Sequence, residues 1–329
     1  MRILVIDLLG GLGDLIMVLP SVHALAEAHP AAELTVLTHA AGAPLLARDP
    51  AVAAVRTAEK HDERAAVEQA LADLVPDLTV TTTRFDGIGD LVDADAAARG
   101  TRAVANLWRR PPADEKVGER YQRLLAADGV IADRVRPPRL VLGDDERAWG
   151  RNALVRAMRL CWRVTPGSPH PRSRDTPTVL VPDAGMAVKR WPAHRWAALA
   201  GTLPGPVLSV GPVDGAATLP PTDLRGLAAL FAAVGEAGGV VVGPDTGPVR
   251  LAAAVGVRTV ALFGPTAASR YGLEEGTNLQ GLPDCPHRMP TAITEQVCWW
   301  DARCPLASEP ACLLDLSVDG VRERVVAGG

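Results

Sequence analysis

The apolar run Ile3-Leu4-Val5-Ile6 opens into Leu9-Gly10-Gly11-Leu12-Gly13-Asp14, and the same grammar returns where Val240-Val241-Val242 runs into Gly243-Pro244-Asp245-Thr246-Gly247. A short unbroken apolar run bounded by a turn reads as a strand buried on both faces of a parallel sheet. The helix that follows presents unpaired N–H groups at the carboxyl edge of that sheet, where α/β proteins hold phosphates and place reactive side chains. Two such turns in one chain predict two nucleotide-type domains facing one cleft.

The rest of the chain keeps this alternation. Strand-like runs fall at 2–7, 33–38, 52–57, 77–82 and 102–106, with helical patterns near 15–28, 63–75, 117–127 and 144–161. Strands return near 178–182, 206–210, 239–243 and 258–263. Repeated strand-helix-strand units imply right-handed crossovers and parallel sheets. At 329 residues the chain exceeds what one growing core accommodates. Residues 165–177 are dense in Pro and polar residues without an apolar period, so they read as a linker between domains at 1–164 and 178–329. The last helix is left open to pack back on the N-terminal domain.

Gly11 and Gly13 let the backbone approach a ligand closely, and the helix after them offers N–H groups to an anion. A dinucleotide fingerprint fits poorly, because Ile16 stands where its third glycine belongs. The strand at 34–38 also runs into His39 rather than into an acidic residue that would hold a ribose. Asp14 is either a dipole-matched helix start or a general base able to take a proton from a substrate hydroxyl.

In the second half, the strand at 178–182 ends in Pro182-Asp183-Ala184-Gly185, followed by Lys189-Arg190-Trp191-Pro192 and a helix through Trp196. Lys189 thereby falls on a loop above the carboxyl end of a strand, as a phosphate contact or as a solvated lysine. At Asp245-Thr246-Gly247 the hydroxyl and the first helical N–H groups suit a diphosphate, and Asp245 suits hydroxyl groups or an N-cap. Another turn, Gly264-Pro265-Thr266, follows the strand ending at Phe263.

Composition narrows the class. No segment approaches the roughly 18 apolar residues of a membrane span, and the first residues enter strand and glycine turn without a signal peptide, so a cytoplasmic protein is expected. Residues 1–150 hold 17 Lys and Arg against 23 Asp and Glu, a balance of −6, and residues 151–329 hold 17 against 15, or +2. That asymmetry fits a donor phosphate bound mainly by the second half, and neither half has the basic stripe of a nucleic-acid binder. Asp93-Ala-Asp95 matches a metal-binding D-x-D, but within an acidic helical stretch it reads as a solvated face. Trp108, Trp149 and Trp162 read as packing residues, and Arg102, Arg109 and Arg110 as acceptor contacts or solubilising surface.

Four of the five cysteines cluster as Cys285, Cys298, Cys304 and Cys312, beside His287 and Trp299-Trp300. Gaps of 12, 5 and 7 residues do not match the tight pairs of zinc motifs, and the first reading is reduced structural thiols, with metal or disulfide as alternatives.

Taken together, Gly-x-x-Gly-Asp near the start, Lys-x-Trp-Pro after the linker, Asp-Thr-Gly opening a late helix and Phe-Gly-Pro-Thr after the next strand resemble glycosyltransferase family 9, the ADP-heptose heptosyltransferases. The resemblance spans nearly the whole chain. It implies a GT-B architecture: an N-terminal Rossmann-like acceptor domain, a C-terminal Rossmann-like nucleotide-sugar donor domain and an interdomain cleft. It also implies an inverting reaction that needs neither metal nor cofactor, the ADP-sugar being a co-substrate. By motif, Asp14 is the general base and Lys189 the donor-phosphate contact. Ala184, Gly185, Asp245, Thr246 and Gly247 line the donor site, with Gly11 and Gly13 approaching the diphosphate. Arg250 stands where the family usually has histidine, and an arginine there can still grip a phosphate bidentately.

The implied function is transfer of a heptose or related sugar from an ADP-sugar to an acceptor hydroxyl, within carbohydrate or antibiotic biosynthesis. The acidic first half favours a neutral or cationic small molecule, such as an aminocyclitol, over an anionic lipopolysaccharide core or another glycan. A nucleotide-sugar epimerase of the same architecture, a lipopolysaccharide-core heptosyltransferase and a catalytically silent binding protein are the alternatives.

Overall fold

The computed structural model describes residues 1–109, 111–164 and 176–327, the side chains of 162–164 excepted. The linker expected at 165–177 therefore lies, but for Thr176 and Pro177, outside the described residues, as do Arg110 and the side chain of Trp162. Contacts divide the chain into two compact units, Met1–Leu142 and Gly143–Gly329.

In the first unit, strands β1 (Arg2–Asp7), β2 (Glu33–His39), β3 (Ala54–Ala58), β4 (Leu78–Thr81) and β5 (Arg102–Val104) form a sheet of order β3-β2-β1-β4-β5. All of its pairings are parallel, with Val5 opposite Val36 on one side and Val80 on the other. The central position of β1 explains its composition, since Ile3 to Ile6 are buried between helix layers. Helices α1 (Leu12–Ala28), α2 (Ala43–Leu46), α3 (Glu63–Leu74), α4 (Ile88–Arg99) and α5 (Val117–Ala127) supply the crossovers and flanks. One core joins Leu4 and Ile6 of β1 to Val67 and Leu71 of α3 and to Ile88 and Val92 of α4.

The second unit opens with α6 (Asp144–Val164) and contains β6 (Thr178–Leu180), α7 (Ala193–Thr202), β7 (Val207–Ser209), β8 (Ala217–Thr218), α8 (Leu224–Glu236), β9 (Val240–Pro244), α9 (Gly247–Ala254), β10 (Arg258–Phe263), α10 (Ala268–Tyr271), β11 (Thr277–Gln280), α11 (Ala311–Leu314) and α12 (Val318–Val326). Its six strands run β11-β10-β9-β6-β7-β8, again all parallel. The core gathers Leu180, Val242, Val260 and Leu262 from the sheet with Trp191 and Trp196, whose rings meet edge to face at 4.8 Å. The Trp191 indole donates to the Leu316 carbonyl at 3.1 Å. Arg195 of α7 donates to the carbonyls of Leu314 and Leu316 at 2.7 Å each.

Two boundaries differ from the sequence reading. α6 precedes the Pro-rich stretch yet packs on α8, because Gly150 has no Cβ to strike the Ala229 backbone and Glu146 pairs with Arg225. The division therefore falls before α6, at 142/143, rather than at 164. α12 likewise stays with the second unit, where Val321 and Val325 enter the core beside α7. Counted over the observed units, the chain charge of −4 rests entirely on residues 1–142, with 16 Lys and Arg against 20 Asp and Glu; residues 143–329 balance at 18 and 18. The slightly basic second half disappears on that count.

Candidate functional site

In each sheet the strand order reverses direction at one place, beside β1 in the first and between β6 and β9 in the second. A crevice opens outside the carboxyl ends of strands at such a point, and ligands of open α/β sheets bind there. The residues singled out by sequence sit at these two positions.

In the first unit the turn after β1 holds Gly10 at φ 98°, a left-handed conformation that suits glycine, and Gly11 as the N-cap of α1. A Cβ on Gly11 would lie 2.5 Å from Asp14 Oδ2, so the missing side chain leaves room for the Asp14 carboxylate to fold back over the helix start. Gly13 and Asp14 occupy the first turn of α1, where the Asp14 N–H donates to the Gly11 carbonyl at 3.1 Å and the carboxylate is half-exposed. Asp14 thus lies in the first turn of α1, where the helix dipole favours an anion, and has the accessibility a base needs.

Seven residues earlier lies a carboxyl group that sequence reasoning passed over. Asp7, at the end of β1, is buried and accepts a hydrogen bond from Thr82 Oγ1 at 2.6 Å. Burial pushes its pKa up, the nearby Asp14 carboxylate pushes it further, and the Thr82 bond only partly offsets both, leaving it at about 7. The threonines beyond β4 brace this corner. Thr83 Oγ1 accepts the Leu8 N–H at 2.8 Å, and the Trp108 indole donates to the Thr82 carbonyl at 2.8 Å. The available signals were an acidic residue ending an apolar strand and the run Thr81-Thr82-Thr83.

In the second unit a 3-10 turn, Ala187–Lys189, carries Lys189 to the switch point. Lys189 Nζ donates to Asp245 Oδ2 at 3.0 Å and to the Asp245 carbonyl at 3.2 Å, and stands 5.4 Å from the centre of the Trp299 ring. The other carboxylate oxygen of Asp245 accepts from Arg250 at 2.7 Å, and Arg250 also donates to the Tyr271 carbonyl. Burial alone would raise the Asp245 pKa, but Lys189 and Arg250 outweigh it and hold the carboxyl at about 2.

Asp245 is therefore an anchor between two cations rather than an open acceptor of sugar hydroxyls. Arg250 is 5% exposed and turned toward that carboxylate, which departs from the phosphate grip expected of it. Thr246 is the N-cap of α9, its hydroxyl bonded to the Pro244 carbonyl at 3.2 Å. Thr246 and Gly247 are half-exposed at the helix start. Gly185 faces open space, while Ala184 is buried and its carbonyl accepts from Arg190 at 3.0 Å. Beside these turns a groove of about 1050 Å³ runs past the ends of β6 and β7, lined among others by Pro182, Asp183, Arg190, His194, Asp214 and Pro248. Trp299 was noted in the sequence only as a neighbour of the cysteines.

Among the other candidates, Asp93 is exposed and Asp95 pairs with Arg99 at 2.8 Å, a solvated helix face. Arg109 pairs with Asp128 at 2.9 Å. Trp108 packs edge to face on Tyr121 at 5.7 Å, whereas Trp149 is half-exposed along α6. All five cysteines are free thiols. Burial pushes the Cys312 thiol up to about 11, partly offset by Arg288, and the other three clustered thiols add to the rise.

Residues 212–280 match the profile of glycosyltransferase family 9 (heptosyltransferase). The resemblance read from the motifs is borne out, and the matched segment contains Asp245, Thr246, Gly247 and Arg250. No curated protein sequence matches the chain. A glycosyltransferase family 9 structure from Veillonella parvula superposes with a TM-score of 0.71 at 17% identity, covering 98% of this chain and 95% of that one. The ADP-heptose LPS heptosyltransferase II of E. coli gives 0.66 at 19%, covering 99% and 98%, and E. coli heptosyltransferase WaaC with ADP gives 0.59 at 16%, covering 91% and 97%. These likenesses show the fold: α/β, with two Rossmann-like parallel sheets of the GT-B type. Among the described residues no helix is long and apolar enough to cross a membrane.

Proposed function

We propose that this chain is an inverting glycosyltransferase that moves a heptose or related sugar from an ADP-sugar to an acceptor hydroxyl. The observation that carries the reading is the Lys189–Asp245–Arg250 cluster at the start of α9, of which Asp245 and Arg250 lie inside the segment that matches the family profile. The groove beside it takes the nucleoside, and the N–H groups of Thr246 and Gly247 with Lys189 meet the diphosphate. Asp14 takes the proton of the attacking hydroxyl. As the bond to the nucleoside diphosphate breaks, charge grows on the leaving phosphate and Lys189 meets it, so the stabilisation is greatest in the transition state. No metal enters these steps.

Arg250 contributes through Asp245: it holds one carboxylate oxygen while Lys189 shares the other, which sets the height of the ammonium group above the helix start. The acidic balance of residues 1–142 supports a neutral or cationic acceptor such as an aminocyclitol. A nucleotide-sugar donor supports a cytoplasmic site of reaction.

Thermal stabilisation across nucleoside diphosphates and nucleotide sugars tests the donor. A ligand at 100 times its Kd adds roughly 2.7 kcal/mol, so ADP and ADP-heptose should stand out from UDP and GDP. Selectivity for UDP or GDP removes the ADP-sugar assignment, and no response to any nucleotide removes the transferase reading. Change of the free donor without an acceptor would mark an epimerase instead. Turnover of anionic lipid cores but not of amino-sugar acceptors would overturn the acceptor assignment.

A further inference from the structure

The chain has three phenylalanines, and two of them, Phe231 and Phe263, are fully buried. Phe85 is the exception, with 44% of its surface exposed. It stands on a 3-10 turn, Phe85–Gly87, that follows β4, and a ring left in water forgoes the burial that most aromatic side chains obtain. The turn is nevertheless held in place. Thr83 before it and Ile88 after it are fully buried, and Arg64 of α3 donates to the Asp86 carbonyl at 2.8 Å. Asp86 and Gly87 are both left-handed, at φ 54° and 66°, a conformation that costs a residue with a Cβ and persists where neighbouring contacts impose it. Phe85 is therefore displayed by a braced turn.

The place of this turn in the sheet connects it to Asp14. β2 and β3 lie on one side of β1, and β4 and β5 on the other, so the direction of the first sheet reverses between β1 and β4. The turns after these two strands flank the same crevice. They are also bonded together, since the Thr82 N–H donates to the Ile6 carbonyl at 3.1 Å and the Leu8 N–H to Thr83 Oγ1 at 2.8 Å. One turn leads to Asp14 and the other to Phe85. Arg84 and Asp86, on either side of Phe85 in sequence, are exposed, and among the described residues neither side chain makes a hydrogen bond or ion pair.

We propose that Phe85 is a stacking platform for the acceptor, a polyhydroxylated six-membered ring, with Arg84 and Asp86 holding the hydroxyl groups that are not presented to Asp14. This role rests on the transferase reading and adds to it the side chain that selects the acceptor. The face of an aromatic ring carries negative charge density, so it attracts the C–H face of a pyranose or cyclitol and, more strongly, an ammonium group. A hydroxyl group both donates and accepts. The Arg84 guanidinium only donates and the Asp86 carboxylate only accepts, so together they satisfy a hydroxyl-rich ring. A purely apolar ring would use the platform and leave both charges idle.

Ligand-observed saturation-transfer NMR on the full chain tests the platform, with glucosamine as an amino-pyranose, streptamine as an aminocyclitol and cyclohexanol as an apolar ring. Saturation should reach the ring C–H protons of glucosamine or streptamine, and the stronger of the two gives the ring class. It should drop about fivefold in Phe85→Ala and in Phe85→Leu, which keeps apolar bulk without an aromatic face, but not in Phe85→Trp. Thermal stabilisation by ADP, read on the same proteins, separates this question from the donor reading. No response to ADP in the wild type removes the donor reading. A normal ADP response with no saturation of either amino ring, or with saturation indifferent to Phe85→Ala and Phe85→Leu, overturns the platform. Equal saturation of cyclohexanol overturns the roles of Arg84 and Asp86. If Phe85→Ala loses the extra stabilisation that ADP-heptose gives over ADP, the ring on Phe85 is the donor sugar and the acceptor assignment fails.

Discussion

Lys189 and Asp245, 56 positions apart in sequence, meet at 3.0 Å because the turns after β6 and β9 share one switch point in the second sheet. The carboxylate is buried and the ammonium is partly open, so the pair is an anchored cation rather than a surface salt bridge.

The two partners should respond differently to removal. Asp245→Asn leaves the buried Arg250 guanidinium without its counter-charge and should cost about 3–5 kcal/mol in urea unfolding. Lys189→Ala leaves the Asp245–Arg250 pair in place and should cost on the order of 1 kcal/mol while raising donor KM and lowering kcat together. Equal stability losses would show that Arg250 does not depend on Asp245.

Replacing Asp14 with Asn keeps the size of the side chain and its place over Gly11. Turnover should fall by about 10²–10⁴ with the unfolding midpoint nearly unchanged. Full activity in the variant would return Asp14 to a helix-start role alone.

Asp7 gives stability an unusual pH dependence. Its folded pKa is raised to about 7, so between about pH 4 and pH 7 the folded state keeps a proton that the unfolded chain has lost. Stability from this group is complete at low pH, falls as pH rises through that window, and levels off above it, a change on the order of 4 kcal/mol. Asp7→Asn should flatten the fall, as followed by chemical denaturation at pH 5 and pH 8. A wild-type curve that rises across the window, or a variant with the same slope, would remove Asp7 as its source.

Asp245 works in the opposite direction at the acid end. Its depressed folded pKa, about 2, contributes stability above the ordinary carboxylate range that is lost as pH falls from about 4 toward 2. Acid unfolding of Arg250→Leu should begin at higher pH than that of the wild type, because one of the two cations holding the carboxylate is gone.

Much of this molecule was legible from periodicity. Buried parallel strands have no solvated face, so β1, β9 and β10 stood out as unbroken apolar runs and their turns followed. The edge strand β11, Thr277–Gln280, is half-buried and reads Thr-Asn-Leu-Gln, which carries no such signal. α4 was obscured by three aspartates on its solvent side, leaving only Ile88, Val92 and Ala96 to mark the buried one. In the site, the positions of Asp14, Lys189 and Asp245 just beyond strand ends followed from the apolar runs, but their partners did not. Trp299 reaches Lys189 from 110 positions away, and Arg250 turns inward because a buried carboxylate needs cations around it. Long-range pairing of this kind leaves no local pattern to read.

The place of α6 matters to anyone recombining this chain with another of the same architecture. A chimera joined within 165–177, where the sequence invites a cut, would give α6 to the wrong parent and strip α8 of the surface that Gly150 and Glu146 cover. Joined at 142/143, the second unit would travel with its own packing intact. Specificity exchange between such enzymes is then a question of where a helix was inherited, and not of which loop is easiest to cut.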